Sequence, residues 1–119
     1  MNDRIIIRVA DIIGSQLCIS AEDGQKVFEK VLPLLNDGKE VTISFENVSM
    51  VISLFFNVSI GQLYGKLNEE QVRTLVKVEG LSDDDMGLLK TVVDNAKKYY
   101  ENPKGYDVAW QSEESDDDE

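Results

Sequence analysis

Histidine is absent from the 119 residues, and cysteine occurs once. Without histidine, the usual Ser–His and Cys–His nucleophile pairs and most zinc sites are excluded. The single thiol, Cys18, can form neither an internal disulfide nor a cysteine metal cluster. Its apolar neighbours, Leu17 and Ile19, indicate a buried side chain. We therefore predict no catalytic residues, no metal ligands and no cofactor, and a protein that is not an enzyme.

Long apolar runs are also missing. No stretch approaches the roughly 20 residues that cross a bilayer. The first residues, Met1 to Arg4, lack the basic lead of a signal peptide. We therefore expect a cytoplasmic protein that has no membrane partner.

Cations are scarce: 12 Lys and Arg stand against 23 Asp and Glu, for a net charge of −11. Residues 112–119 hold six carboxylates and no cation, which leaves a net charge of about −5 on the rest. Phosphate binding requires clustered Lys and Arg, so we predict no direct binding to nucleic acid. An acidic inhibitor or nucleic-acid mimic, occupying a basic groove of another protein, is an alternative function.

Hydrophobic periodicity and turn residues predict alternating strands and helices. The strands are expected at residues 4–13, 40–45 and 72–79, with a short one at 16–19 that returns as a hairpin. One helix begins at Ser20, a second begins between Ser53 and Asn57, and a third begins at Ser82. This order predicts a small mixed, largely parallel α/β sheet of about four strands with three helices.

The chain divides into three parts by composition. Residues 1–104 are predicted to form the α/β domain and residues 105–111 an aromatic arm or edge strand. Residues 112–119 are predicted to form a disordered acidic tail. Trp110 either packs on the domain or contacts a partner, and homo-oligomerisation through an edge strand or the Tyr106–Trp110 segment is a further alternative.

Two clusters allow both a structural and a functional interpretation. Gly61 and Gly65 lie four residues apart on one helix face, where they permit close packing within the domain or against a partner. The aspartates Asp83 to Asp85 suggest a divalent-metal site. We interpret them instead as acids that complement the first turn of a helix.

Three segments resemble the STAS-like domains, which are related to the anti-sigma-factor antagonists. Val41–Ser49 is similar to their central strand and the turn after it, Ser53–Phe56 to their helix entrance, and Gly61–Leu67 to the following helix. The resemblance implies a STAS-like fold and a protein partner, with an ATPase or kinase-like protein as the candidate. It also marks Ser53 as a candidate phosphosite, although Ile52 and Leu54–Phe55 replace the flanking acid and glycine.

These observations together predict a non-enzymatic regulatory module that binds a protein through the loop after the central strand and through the second helix. Ser53 has helix N-cap as its alternative role. The predicted partner-binding residues are Asn47, Ser49, Ser53, Asn57, Gly61, Gly65 and Trp110.

Overall fold

The computed structural model describes residues 4–101. Their elements, in chain order, are β1 Ile5–Arg8, α1 Val9–Ile13, β2 Leu17–Cys18, α2 Ala21–Asn36, β3 Val41–Ser44, β4 Met50–Val51, α3 Ser53–Phe56, a π-helical segment Asn57–Gly61, α4 Leu63–Lys66, α5 Glu69–Leu75, β5 Val76–Glu79 and α6 Asp83–Glu101. We call the stretch from α3 through the π segment to α4, residues 53–66, the composite helix. The predicted arm and acidic tail, with Trp110, lie outside the described residues.

The strands form two small parallel sheets. The first has the order β1-β3-β5, so β3 is central, and the second pairs β2 with β4. All four residues of β3 are buried. The predicted α/β class with a largely parallel sheet is therefore confirmed. Among the described residues, the strands number five in two sheets rather than about four in one, and short helices add to the predicted three.

The core lies between the three-stranded sheet and a layer of helices. Ile7 and Ile43 are buried in it together with Val27 and Val31 of α2. The side chains that alternate with them on β1 and β5, such as Ile6 and Lys77, are exposed. Helices therefore cover one face of this sheet. On the other face the side chains of the two edge strands are exposed, whereas Thr42 and Ser44 of the central strand are buried.

Helix α2 forms as its sequence predicts. The Ser20 hydroxyl accepts a hydrogen bond from the backbone N–H of Asp23 at 3.1 Å, which caps the first turn. An apolar stripe at helical spacing is buried, and Pro33 lies near the end without terminating the helix, which continues to Asn36.

The predicted strand over residues 4–13 is correct only for its first half. The chain turns into α1 after Arg8, and Gly14, with a φ of 68°, ends that helix by donating to the carbonyl of Ala10. Val9, Ile12 and Ile13 have the i, i+3, i+4 spacing of a helix face, but their β-branched side chains also suit a strand.

The predicted hairpin between the first two strands is wrong. Leu17 pairs with Met50 and Cys18 with Val51, both in parallel register. Gly14 and Ser15 follow a helix instead of turning a hairpin, so β2 takes its partner from a segment more than thirty residues later.

The predicted strand over residues 72–79 is also half helix. Asn68 and Gln71 form a reciprocal capping box at the start of α5: the Asn68 side chain accepts from the Gln71 N–H at 2.7 Å, and the Gln71 side chain accepts from the Asn68 N–H at 3.0 Å. This satisfies two N–H groups of the first turn and starts a helix that continues to Leu75, so the strand begins only at Val76.

Candidate functional site

The loop between β3 and β4 carries two of the predicted binding residues. Asn47 is exposed and has a φ of 67°, a left-handed conformation that asparagine tolerates better than most residues. Ser49 lies against β2, because its backbone N–H and its hydroxyl both donate to the carbonyl of Gln16, at 2.8 and 3.3 Å. The loop is thus held in place while Asn47 stays open to solvent.

Beside this loop, the two-stranded sheet exposes large apolar side chains. In the pairing of β2 with β4, Cys18 and Val51 point inward and are buried, whereas their neighbours point outward. Met50 is 53% exposed and Leu54, just beyond, is 47% exposed. We call the following set the apolar face: Leu17, Ile19, Met50, Ile52 and Leu54. Contiguous exposed apolar side chains mark interaction surfaces in soluble proteins.

Ile52 occupies a position where a polar residue would stabilise the protein. It is the N-cap of the composite helix: its backbone is extended, and its carbonyl accepts from the N–H groups of Phe55 and Phe56. Isoleucine cannot accept the orphan N–H groups of the first turn, whereas Ser, Thr, Asp or Asn there contributes about 0.5–2 kcal/mol. Ile52 is 36% exposed, so an isoleucine at this cap forgoes a side-chain cap and leaves part of an apolar side chain on the surface.

The predicted N-cap role of Ser53 is wrong by one residue. Ser53 is the first helical residue, and among residues 4–101 its hydroxyl has no hydrogen-bond partner. Because the extended backbone conformation ends at Ile52, the serine lies one position inside the helix and is exposed. It lies on the surface between Ile52 and Leu54.

The composite helix widens into a π segment. The Gln62 N–H bonds to the Asn57 carbonyl at 3.1 Å, a five-residue separation. Side chains satisfy nearby carbonyls: the buried Ser59 hydroxyl donates to Phe55 at 2.7 Å, and the Gln62 amide donates to Val58 at 2.8 Å. Single π turns within helices are frequent at functional sites.

Close packing by Gly24 holds this π segment against α2. A Cβ atom at Gly24 would lie 3.0 Å from Val58 Cβ and 3.2 Å from the Phe55 carbonyl oxygen, so only glycine permits this crossing without a shift. The Gln62 amide adds a hydrogen bond to Gln25 on α2 at 2.9 Å.

A groove of about 520 Å³ runs between the composite helix and α6. Although 29% of the chain is charged, none of the residues between 4 and 101 that line the groove carries a charge. Tyr99 and Tyr100 lie at one end and Leu88 toward the other. The cores of protein interfaces are likewise depleted of charge and enriched in tyrosine. The lining residues are Ser53, Leu54, Asn57, Val58, Gly61, Gln62, Leu88, Thr91, Val92, Asn95, Ala96, Tyr99 and Tyr100.

The structure brings three predicted binding residues, Ser53, Asn57 and Gly61, together in this groove. Gly61 lies beside Ala96, whose Cβ would be 3.6 Å from a Cβ at the glycine. Gly65 packs under the ring of Tyr100, where a Cβ would lie 2.5 Å from the nearest ring carbon. Gly65 therefore permits close packing against α6. A Cβ at Gly61 would make only an ordinary contact with Ala96 but would lie 2.9 Å from the side-chain oxygen of Asn57. Gly61 also lines the groove.

Cys18 lies beneath the apolar face, fully buried. Burial, together with the smaller effect of the nearby Asp23 carboxylate, raises the pKa of its thiol to about 11. The thiolate is the reactive form, so the arrangement suppresses thiol chemistry.

We expect iodoacetamide to label Cys18 at least about a hundredfold more slowly in the folded chain than in urea at pH 8, because the pKa is about two units above that of an ordinary thiol. Mass spectrometry measures both rates. Equal rates would contradict the buried position.

The aspartates Asp83 to Asp85 lie in the first turn of α6, as expected, and the Ser82 hydroxyl accepts from the Asp85 N–H at 3.1 Å. Across residues 4–101, no group of three or more His, Cys, Asp or Glu side chains is arranged to hold a metal ion. Within the same residues, no helix combines the length and apolar character needed to cross a membrane.

A family model described as a STAS-like domain of unknown function matches residues 23–86, more than half of the chain. The chain belongs to this family. Neither the comparison with curated proteins nor the comparison with solved structures found a match.

The matched part of the STAS-like domain runs from the first turn of α2 to the first turn of α6. It contains the loop after β3 and the whole composite helix. The resemblance seen in the sequence is therefore confirmed. Most of α6, which forms the second wall of the groove, lies beyond the match.

Sequence reasoning missed the apolar face and the α6 side of the groove. Leu17 and Ile19 join Met50 and Ile52 only through a parallel pairing that no local pattern reveals. The α6 side could have been found in part, because Leu88, Val92 and Tyr99 share a helical face.

Proposed function

We propose that this STAS-like domain is a non-enzymatic regulatory module that binds a protein partner through the loop after β3 and the entrance of the composite helix. An ATPase or kinase-like protein is the candidate partner, by resemblance to the antagonists. The observation that carries the proposal is the exposed Ile52 at a helix N-cap. Residues that lower stability without a structural return are typical of functional surfaces.

The surroundings of Ile52 support the same surface. Met50 and Leu54 lie two residues before and after it. Leu17 lies on the neighbouring strand β2 and Ile19 directly follows that strand, and the exposed polar residues Asn47 and Ser49 belong to the adjoining loop. An apolar centre with a polar rim is the usual arrangement of a protein interface.

The Ile52→Asp variant tests this surface, because we expect it to change stability and binding in opposite directions. Aspartate can cap the composite helix, so the free energy of unfolding should rise by about 0.5–2 kcal/mol. The same change places a charge on the apolar face, so affinity for a protein captured from the native cell should fall at least about tenfold.

The matched control is Ile6→Asp. Ile6 is 57% exposed but lies on the open face of the three-stranded sheet, away from the apolar face. Binding should survive this change. Equal loss in both variants would indicate a nonspecific effect of added negative charge and would contradict the proposal.

A further inference from the structure

We infer that the groove between the composite helix and α6 binds an amphipathic helix of the partner, with an apolar face and with Lys or Arg toward both of its ends. This inference rests on the proposed function, since it names the kind of element that the module would bind. Three features of the groove support it: its shape, its lack of charge, and the acids at its two ends.

The shape follows two helix faces. The residues of the composite helix that line the groove recur four apart from Ser53 to Gln62, and those of α6 recur three and four apart from Leu88 to Tyr99. At 1.5 Å per residue these walls are about 14 and 17 Å long. An elongated groove between two helices fits a third helix, which would present side chains at i, i+3, i+4 and i+7.

Two small residues form part of the groove lining. Gly61 and Ala96 lie beside each other across the two helices and carry no long side chain, so large side chains such as leucine have room above them. The side-chain amides of Asn57 and Asn95 also line the groove and can accept hydrogen bonds from a bound helix or donate hydrogen bonds to it.

Acids stand at both ends of this uncharged groove. Asp84 lies one helical turn before Leu88, between Asp83 and Asp85. At the other end, Glu101 directly follows the two lining tyrosines. Lys90, Lys97 and Lys98 belong to α6 but do not line the groove, and Lys97 forms an ion pair with Glu69 at 3.1 Å.

The distribution of charge around the groove favours one kind of binding partner over another. A partner helix with cations at its ends would meet opposite charge at both ends of the groove. A second copy of this chain also carries a net charge of −11, so the two copies would repel.

A synthetic helix is the probe. It has about 14 residues, or about 21 Å of helix, with Leu at the positions of one face, Lys toward both ends and Gln at the remaining positions. A peptide of the same composition in scrambled order lacks that face. We expect the full 119-residue chain to bind the ordered peptide at least about tenfold more tightly by fluorescence anisotropy, with a clear weakening in high salt. Equal binding of both peptides would overturn the inference.

Two threonines provide matched variants. Thr91→Trp fills the groove, whereas Thr74→Trp places the same side chain on α5, outside the groove. The first should weaken peptide binding at least about tenfold and the second should not. If Thr91→Trp fails to fold, Asn95→Lys places a repelling cation in the groove and should give the same loss. Unchanged binding in the folded groove variant would overturn the inference.

Other occupants would give different results. Tighter peptide binding after deletion of residues 102–119 would identify the chain's own C-terminal residues as the occupant. Self-association that Thr91→Trp abolishes would identify a second copy. Either result contradicts the inference. If the native partner is lost by Ile52→Asp but retained by Thr91→Trp, the groove proposal fails and the proposed function stands. If both variants retain the native partner, the groove proposal and the proposed function are both contradicted.

Discussion

Replacing Gly80 by alanine is expected to lower the free energy of unfolding by about 3 kcal/mol, a large fraction of the stability of a small domain. Gly80 has a φ of 84°, which is strained for any L side chain. A Cβ there would also lie 2.7 Å from the backbone nitrogen of Glu46 and 3.0 Å from the carbonyl carbon of Phe45. These are backbone atoms, so no rotamer change can relieve the overlap.

Gly38→Ala separates the two causes. Gly38 has a φ of 79°, yet nothing lies within 4 Å of a Cβ there. Its replacement by alanine should lower the free energy of unfolding by about 1 kcal/mol, because an L residue is strained in the left-handed conformation. Urea unfolding of both variants measures the difference. Equal costs would mean that Gly80, directly after β5, does not lie so close to the backbone at the end of β3.

The contact at Gly80 also bears on the site. The Phe45 N–H donates to the Glu79 carbonyl at 2.9 Å, so β5 fixes the end of β3 just before the loop that carries Asn47. A shift there would move the loop, and we expect Gly80→Ala to weaken partner binding as well as stability.

Phe45→Ala is expected to cost about 3–5 kcal/mol. The ring is fully buried and makes edge-to-face contacts with Phe55, at 6.4 Å between centroids, and with Phe56, at 5.5 Å. Such pairs add about 0.5–1.5 kcal/mol beyond the area they bury. These three rings join the end of β3 to the first turn of the composite helix and so position Ile52.

Phe45→Leu is the control for this prediction. It retains most of the buried volume and removes the ring contacts, so its cost should be less than half that of alanine. Thermal and urea unfolding measure both variants. A cost below about 1 kcal/mol for Phe45→Ala would contradict the central place of this cluster.

The parts of the fold that were predicted correctly depend on local signals. The Ser20 cap and the apolar stripe of α2 lie within one helix, and β3 alternates over a few residues. The change from β1 to α1 was missed, because Val9, Ile12 and Ile13 suit both structures. The capping pair Asn68 and Gln71 was present in the sequence, but the β-branched residues that follow it favoured the prediction of a strand.

The site was harder to predict than the fold, because most of it is tertiary. Asn57 and Gly61 were identified from the composite helix alone, but Thr91 and Tyr99 join them only when α6 packs alongside. The apolar face requires a parallel pairing between distant segments. Placing the helix cap at Ile52 rather than at Ser53 depended on the backbone conformation of one residue.

The central claim is that the apolar face around Ile52 is a partner surface. Its most direct test is the affinity of Ile52→Asp for the captured partner, measured beside its free energy of unfolding. We expect a more stable protein that binds at least about tenfold more weakly than the wild-type chain. A variant that is more stable and binds equally well would contradict it.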